Sequence, residues 1–329
     1  MGNFTRLGEG IMVTKEEFTY DSRDNKSKIH AIRWIPQKGE IKGIVQIVHG
    51  MVEHIDRYDE FANYLAEKGI VVVGNDHLGH GTSVEQDSDR GYFCEKDGET
   101  ILVRDVHRLK KLTQKAFPGK PYIILGHSMG SFITRKYIIE YGKGIDGAII
   151  MGTGSKKIGS LQMGILLAKV ISIFHGKKYR SKLVNNNAFG SFNNRFRPAR
   201  TEHDWLTKDE KQVDLYEADK RNDFIFTLNG YETLFKIFLY IQKEENFANA
   251  RKDLPIFFVS GADDPVGDFG EGVRKAYALL EKVGYSNLDM KLYENDRHEI
   301  LNETDKDVVY KDLENWIMQQ ISGINNSNN

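Results

Sequence analysis

Cysteine is almost missing from this chain. Cys94 is the only one, so no disulfide can close within it, which points to a reducing compartment. Nor is Cys94 framed by any motif that would make it a nucleophile. Net charge is scarce too: 46 Lys and Arg against 47 Asp and Glu leave −1. With no dense basic run, a nucleic-acid partner is not expected. Residues 1–20 lack the apolar stretch of a secretory signal, and Arg6 stands where a myristoylation signal wants Ser or Thr. The longest apolar run, 161–174, carries Lys169 and falls short of the roughly 20 residues that span a bilayer. Together these absences predict a soluble, cytoplasmic protein.

What is present is ordinary globular material. Hydrophobic residues make up 40% of 329, enough to bury one large α/β domain with an inserted subdomain. Short runs at 17–21 and 30–35 read as strands. The continuous, β-branched run at 44–48 and further runs at 70–73, 122–125, 148–151, 256–259 and 290–293 read as strands, most of them buried on both faces. Helical spacing alternates with them at 56–68, 100–116, 129–141, 271–283 and 305–321. Strand–helix alternation predicts a mostly parallel, eight-stranded, doubly wound sheet flanked by helices. The rhythm breaks between 153 and 250. That stretch holds helix candidates at 161–174 and 231–241 and an Asn-rich segment at 185–194. It reads as a helical insertion, leaving 1–152 and 251–329 as the core. The tail at 325–329 is expected to be disordered.

The strongest chemical signal is Gly126-His127-Ser128-Met129-Gly130, between a buried strand and a helix. In a nucleophile elbow the turn is so tight that the serine is strained and side chains two residues either side would collide, hence the glycines. A serine hydroxyl needs a base. His298 follows the last strand, and Asp264 follows the strand before it, in Ser260-Gly261-Ala262-Asp263-Asp264-Pro265. Ser128 would attack, His298 would take and return the proton, and Asp264 would hold the imidazole tautomer. Asp263 and then Asp268 are the alternatives for the acid. Oxyanion donors are expected from the amides of Met51, in His49-Gly50-Met51-Val52-Glu53-His54, and of Met129.

Taken with Asp76-His77-Leu78-Gly79-His80-Gly81-Thr82-Ser83, these motifs resemble the monoacylglycerol lipase and lysophospholipase group of α/β-hydrolases, also grouped with serine aminopeptidases. The motifs run from about residue 45 to 300. The resemblance implies an α/β-hydrolase fold, ester hydrolysis by Ser128, Asp264 and His298, amide donors at Met51 and Met129, and a lid at 153–250. Leu78 departs from the group, where many relatives have Arg.

Neither a cofactor nor a metal is expected. His77 and His80 have metal-like spacing but no third ligand, and with His49, His54 and His127 they read as loop-shaping hydrogen bonders. Asp204, Asp209 and Asp214 read as a solvated helical face. The apolar run at 161–174 is expected to roof an acyl pocket through Leu161, Ile165, Leu166, Val170 and Phe174, and to make transient contact with a membrane surface. Plain packing on the core is the alternative. Tyr231, Phe235 and Phe238 are candidates for a further wall. The substrate is thus expected to be a small-molecule or lipid ester. The same triad also serves thioesterases, acyltransferases and aminopeptidases, and a non-catalytic binding protein could keep the scaffold.

Overall fold

In chain order the strands are β1 (Phe4–Thr5), β2 (Val13–Asp21), β3 (Lys28–Pro36), β4 (Gly43–Val48), β5 (Ile70–Asn75), β6 (Tyr122–His127), β7 (Gly147–Met151), β8 (Ile256–Gly261) and β9 (Leu288–Tyr293). They come from a computed structural model that describes residues 4–5 and 13–327. The strands form one sheet in the order β1-β2-β3-β5-β4-β6-β7-β8-β9. From β5 to β9 the pairings are parallel, while β1, β2 and β3 join antiparallel at one edge. The eight expected strands are all present, and the two-residue β1 adds a ninth.

Helices cover both faces, which explains the continuous apolar runs. Val45 and Ile47 of β4 face α1 (Asp59–Glu67), while Ile44 and Val48 face the opposite layer. That opposite layer is built from α2 (Gly98–Ala116) and α3 (Met129–Tyr141). β4 through β8 are buried at every position, because residues alternate between two covered faces. β9 borders the sheet and keeps only Tyr293 buried.

Between β7 and β8 the described residues hold helices and no strand: α4 (Ile158–His175), α5 (Lys182–Phe189), α6 (Glu210–Ala218) and α7 (Leu228–Tyr240). The fold closes with α8 (Glu271–Lys282) and α9 (Lys306–Ser327). Two insertion helices go beyond the sequence reading, and their caps explain them. Ser181 accepts from Val184 N at the start of α5, so the Asn-rich segment begins as a helix. Asp209 does the same for Lys211 N at α6, so it is a cap and not part of a solvated face. Asp204 is also off any helix; it closes a turn by accepting from Thr201 Oγ1 at 2.7 Å. α9 continues through Ser327, so residues 325–327 are helical where disorder was expected, while 328–329 lie outside the described residues.

α4 is longer than the apolar run suggested. Its 18 residues are long and apolar enough to cross a membrane by length and composition, correcting the expectation that the run is too short. It lies on α7 through a narrow strip. Leu161 and Ala168 are buried, and Gly164 leaves room for the Phe235 ring. Most of the rest of the helix faces outward.

Candidate active site

The carboxyl ends of the parallel strands gather Ser128, Asp264, His298 and the amides of Met51 and Met129 at one edge of the sheet, the usual ligand edge of such folds. Ser128 follows β6 directly and has φ 53° and ψ −121°. A non-glycine residue there is strained, and it is held by the strand below and the helix above. The flanking glycines are required by space. A Cβ on Gly130 would lie 1.9 Å from the Val48 carbonyl oxygen, and one on Gly126 2.3 Å from that of Gly130. Gly50 is likewise enclosed, with Ser128 Cβ 3.0 Å from where its own Cβ would sit.

His298 is buried in the loop after β9, and its Nδ1 lies 3.0 Å from Asp264 Oδ2. Asp264 is fully buried. Its other oxygen accepts from Val266 N at 2.8 Å, and Ser260 Oγ donates to Oδ2 at 3.2 Å. Both oxygens are thus occupied by donors, which fixes the carboxylate plane. Of the three acids considered, the structure puts Asp264 against the imidazole. Asp263 only supplies its amide to Asp296 O, and Asp268 is exposed.

Ser128 and His298 line the same cavity, of about 1120 Å³, as do Met51 and Met129. Among the described residues the amides of Met51 and Met129, the Ser128 hydroxyl and His298 Nε2 have no hydrogen-bond partner. Ser128 and His298 form no direct hydrogen bond with each other, the looser geometry common before substrate binds.

A second layer of charge lies beneath the elbow, and sequence reasoning saw it only as loop-shaping histidines. Glu53 accepts from Gly50 N, from Tyr58 Oη at 2.9 Å, from His127 Nδ1 at 3.1 Å and from Arg57 Nη1 at 3.0 Å. Arg57 also grips Glu299 bidentately at 2.6 and 2.7 Å. The other His127 nitrogen reaches the His298 carbonyl at 3.3 Å, and the two rings sit 4.7 Å apart. Burial works against charge on Glu53, but the His127 hydrogen bond and the His127 and Arg57 charges hold its carboxyl well below the usual range. Burial likewise opposes a proton on His127, yet the Glu53 contact raises its pKa. The pair is therefore ionic. Spacing could not show it, because Glu53, Arg57, His127 and Glu299 come from three separate segments.

The remaining histidines are structural neighbours. His49, His77 and His80 pack ring against ring, with His49 and His77 4.2 Å apart, and His49 Nε2 accepts from His77 N at 3.0 Å. Burial pushes the His80 imidazole down to about 3, so it is neutral. Asp76 binds Ile55 N, Thr82 N and His30 Nδ1, and its carboxyl falls to about 2 although burial acts the other way. This network holds the loop at 76–83 in place. His54 Nε2 lies 2.9 Å from Asp219 in the insertion.

The cavity wall differs from expectation. None of Leu161, Ile165, Leu166, Val170 and Phe174 lines it. Leu161 is buried against the core, Ile165 is half-buried, and Leu166, Val170 and Phe174 are exposed, Phe174 by 78%. Because α4 lies across α7, its apolar surplus points away from the sheet. The wall comes instead from residues 185–206, from 222–225 and from Leu234. Tyr231, Phe235 and Phe238 are packing residues, as the alternative reading had it. The cavity lining is apolar at Met51, Phe132, Phe189, Phe192 and Val266, while Asn186, Asn194 and Glu202 add polar groups. Trp205, which no sequence signal marked, lines the cavity with its ring 5.1 Å from that of His298.

The chain is similar to known proteins. The family model described as serine aminopeptidase, S33, matches residues 39–305. Monoglyceride lipase of Rattus norvegicus is 27% identical over 297 residues, 88% of this chain and 86% of that protein. Monoacylglycerol lipase of Mycolicibacterium smegmatis is 24% identical, covering 88% of this chain and 92% of that one. A thermostable carboxyl esterase from Bacillus coagulans, solved with glycerol, superposes with a TM-score of 0.86 at 30% identity, covering 93% of this chain and 99% of that one. With a strained serine at the elbow, a buried carboxylate–imidazole pair at the same sheet edge and a family match across most of its length, the chain belongs to the S33 serine aminopeptidase family of α/β-hydrolases, in its monoacylglycerol lipase-like group.

Proposed function

We propose that the chain is a serine carboxylic-ester hydrolase acting on monoacylglycerols or closely related lipid esters through an acyl-enzyme on Ser128. The observation that most supports this is the meeting of Ser128, the His298–Asp264 pair and two unpartnered amides at one cavity. Ser128 Oγ attacks the ester carbonyl carbon as His298 Nε2 takes its proton. The oxyanion that forms receives the N–H groups of Met51 and Met129. The intermediate collapses, the C–O bond to the alcohol breaks, and His298 returns the proton to the departing oxygen. Water then repeats the sequence on the acyl-enzyme, releasing the acid and restoring the serine. Asp264 keeps the proton on Nδ1, so that Nε2 is the basic nitrogen.

In this reading the acyl chain lies along the apolar lining and the alcohol faces Asn186, Asn194 and Glu202 of the insertion, which acts as the cap over 153–250. A screen of glycerol monoesters, lysophospholipids, phenolic esters, thioesters and aminoacyl amides tests it. Glycerol monoesters of medium or long acids are expected to exceed the acetate ester by about tenfold or more in kcat/KM, since each buried CH₂ contributes about 0.8 kcal/mol. No preference over acetate, or faster amide cleavage, would reject the assignment.

The exposed face of α4 is read as a contact for lipid surfaces. Met163, Leu166, Ile173 and Phe174 are each more than half exposed, and Ile173 reaches 77%. Lys156, Lys157, Lys177 and Lys178 flank the helix. Exposed apolar area of this kind marks an interaction site. Replacing both Ile173 and Phe174 by Ser is expected to weaken vesicle sedimentation about tenfold or more while leaving turnover of a soluble ester unchanged. Equal vesicle binding by variant and parent would remove this contact. A cytoplasmic location is retained in this reading, on the strength of the lone Cys94.

A further inference from the structure

The loop that carries His298 is held by the insertion as well as by the core. From the insertion, Leu206 O accepts from Glu299 N at 2.7 Å, and Thr207 Oγ1 donates to Asn302 O at 3.1 Å. The Lys208 amide donates to both oxygens of Glu303 at 3.2 and 3.3 Å. In the other direction, Arg297 Nη1 donates to the Asp204 and Thr207 carbonyls. Segment 204–208 thus clasps residues 297–303 on both sides of the imidazole, with the Trp205 ring against it.

At the centre of the clasp lies one cation among three carboxylates. Lys208 Nζ donates to Asp296 Oδ1, sits 2.9 Å from Asp305 Oδ1 and 3.9 Å from Glu303 Oε2. Asp296 and Glu303 are almost wholly buried, and Asp296 Oδ2 has no partner at all among the described residues. Asp296 also receives the Asp263 amide on its carbonyl, at 2.9 Å, so it touches the acid-bearing loop as well as the base-bearing one. A buried carboxylate without a cation is costly. We propose that Lys208 is a positioning residue for His298: the insertion supplies the ammonium that fixes the loop bearing the base and offsets part of its negative charge. This rests on His298 being the base.

Charges on other elements around the imidazole are already matched. Asp264 bonds it directly, Glu53 offsets His127, and Arg57 offsets Glu299. Arg297 spends its guanidinium on carbonyls and on the Phe196 ring, 4.2 Å away. Lys208 is the counter-ion of the remaining acids, Asp296, Glu303 and Asp305. Removing it makes the cluster two residues from His298 more negative, which favours the imidazolium. Removing Asp305 instead makes the cluster less negative and has the opposite sign. Asp305 is half exposed, so its loss uncovers no buried charge.

The test measures kcat, KM and the pH dependence of kcat/KM on a short soluble p-nitrophenyl ester, with a thermal melt to verify folding. Lys208→Met is expected to lower kcat about tenfold with KM within about twofold, as a displaced base would. Its acid limb should move up by about half a pH unit, with Lys208→Arg restoring both. Asp305→Asn, which keeps the fold safe if Lys208→Met does not, should move the acid limb down. A folded Lys208→Met with parental kcat and acid limb overturns the proposal. So does a pair of shifts with the same sign, or no shift in Asp305→Asn. A parent protein that hydrolyses no ester would instead sink the hydrolase reading itself.

Discussion

Ser128→Ala is expected to lose about 10⁴–10⁶-fold in kcat on p-nitrophenyl esters while its melting temperature stays close to the parent's. The size follows from the proposed role: without the hydroxyl no acyl-enzyme would form, leaving water attack helped by the proposed amide donors at Met51 and Met129. The melting temperature should hold because Ser128 makes no side-chain hydrogen bond among the described residues, and alanine is tolerated about as poorly as serine at φ 53°. A fluorophosphonate probe should label the parent and not the variant. Labelling of Ser128→Ala at the parental level would place the nucleophile elsewhere and end the argument. His298→Ala is expected to fall nearly as far, since members of such a unit fail together.

The second large effect is expected at Glu53, where the damage is to stability as well as rate. Glu53→Gln keeps the shape but removes the charge that answers both His127 and Arg57. Breaking one member of a buried ionic group costs about 3–5 kcal/mol. That is a large share of an ordinary stability of about 5–15 kcal/mol, and corresponds to roughly 4–7 °C in Tm for a chain of this length. The same carboxylate holds Gly50 N beside the expected oxyanion donor and His127 beneath the elbow, so kcat should fall too, by about 10–100-fold.

The pH dependence separates this account from lost packing. Glu53 has its folded pKa depressed below 4.5, so its contribution is present above that value and fades as pH falls through the folded pKa. His127 has its folded pKa raised above 6.5, so its contribution is complete below that value and fades as pH rises through the folded pKa. The gap in Tm between parent and Glu53→Gln should therefore be widest between about pH 4.5 and 6.5. It should narrow above neutrality as His127 releases its proton, leaving the part due to Arg57. A gap that is flat from pH 5 to 9 would mean that shape, not charge, was lost.

Much of this molecule follows from local chemistry written in consecutive residues. Runs such as Ile70–Asn75 become buried strands because β-branched side chains suit a sheet covered on both faces. Glycines at 126 and 130 permit the elbow because a Cβ at either would strike backbone. Asp264 and His298 were legible because each follows a strand, and strand ends meet at one edge.

What remained hidden depends on which surfaces meet. The apolar residues of α4 gave no clue to which side would face the sheet, since the helix is apolar all round; only its seat on α7 turned Phe174 outward and Leu161 inward. The cavity wall, Trp205, the Glu53–His127 pair and the Lys208 clasp join segments far apart in the chain. Lys208 and Asp296, for instance, are 88 positions apart. Periodicity and turn chemistry act over a few residues, so one dimension sufficed for the strands, the elbow and the placing of Asp264 and His298 after successive strands. Burial and charge pairing are set by distance in space, and these the tertiary structure alone decided.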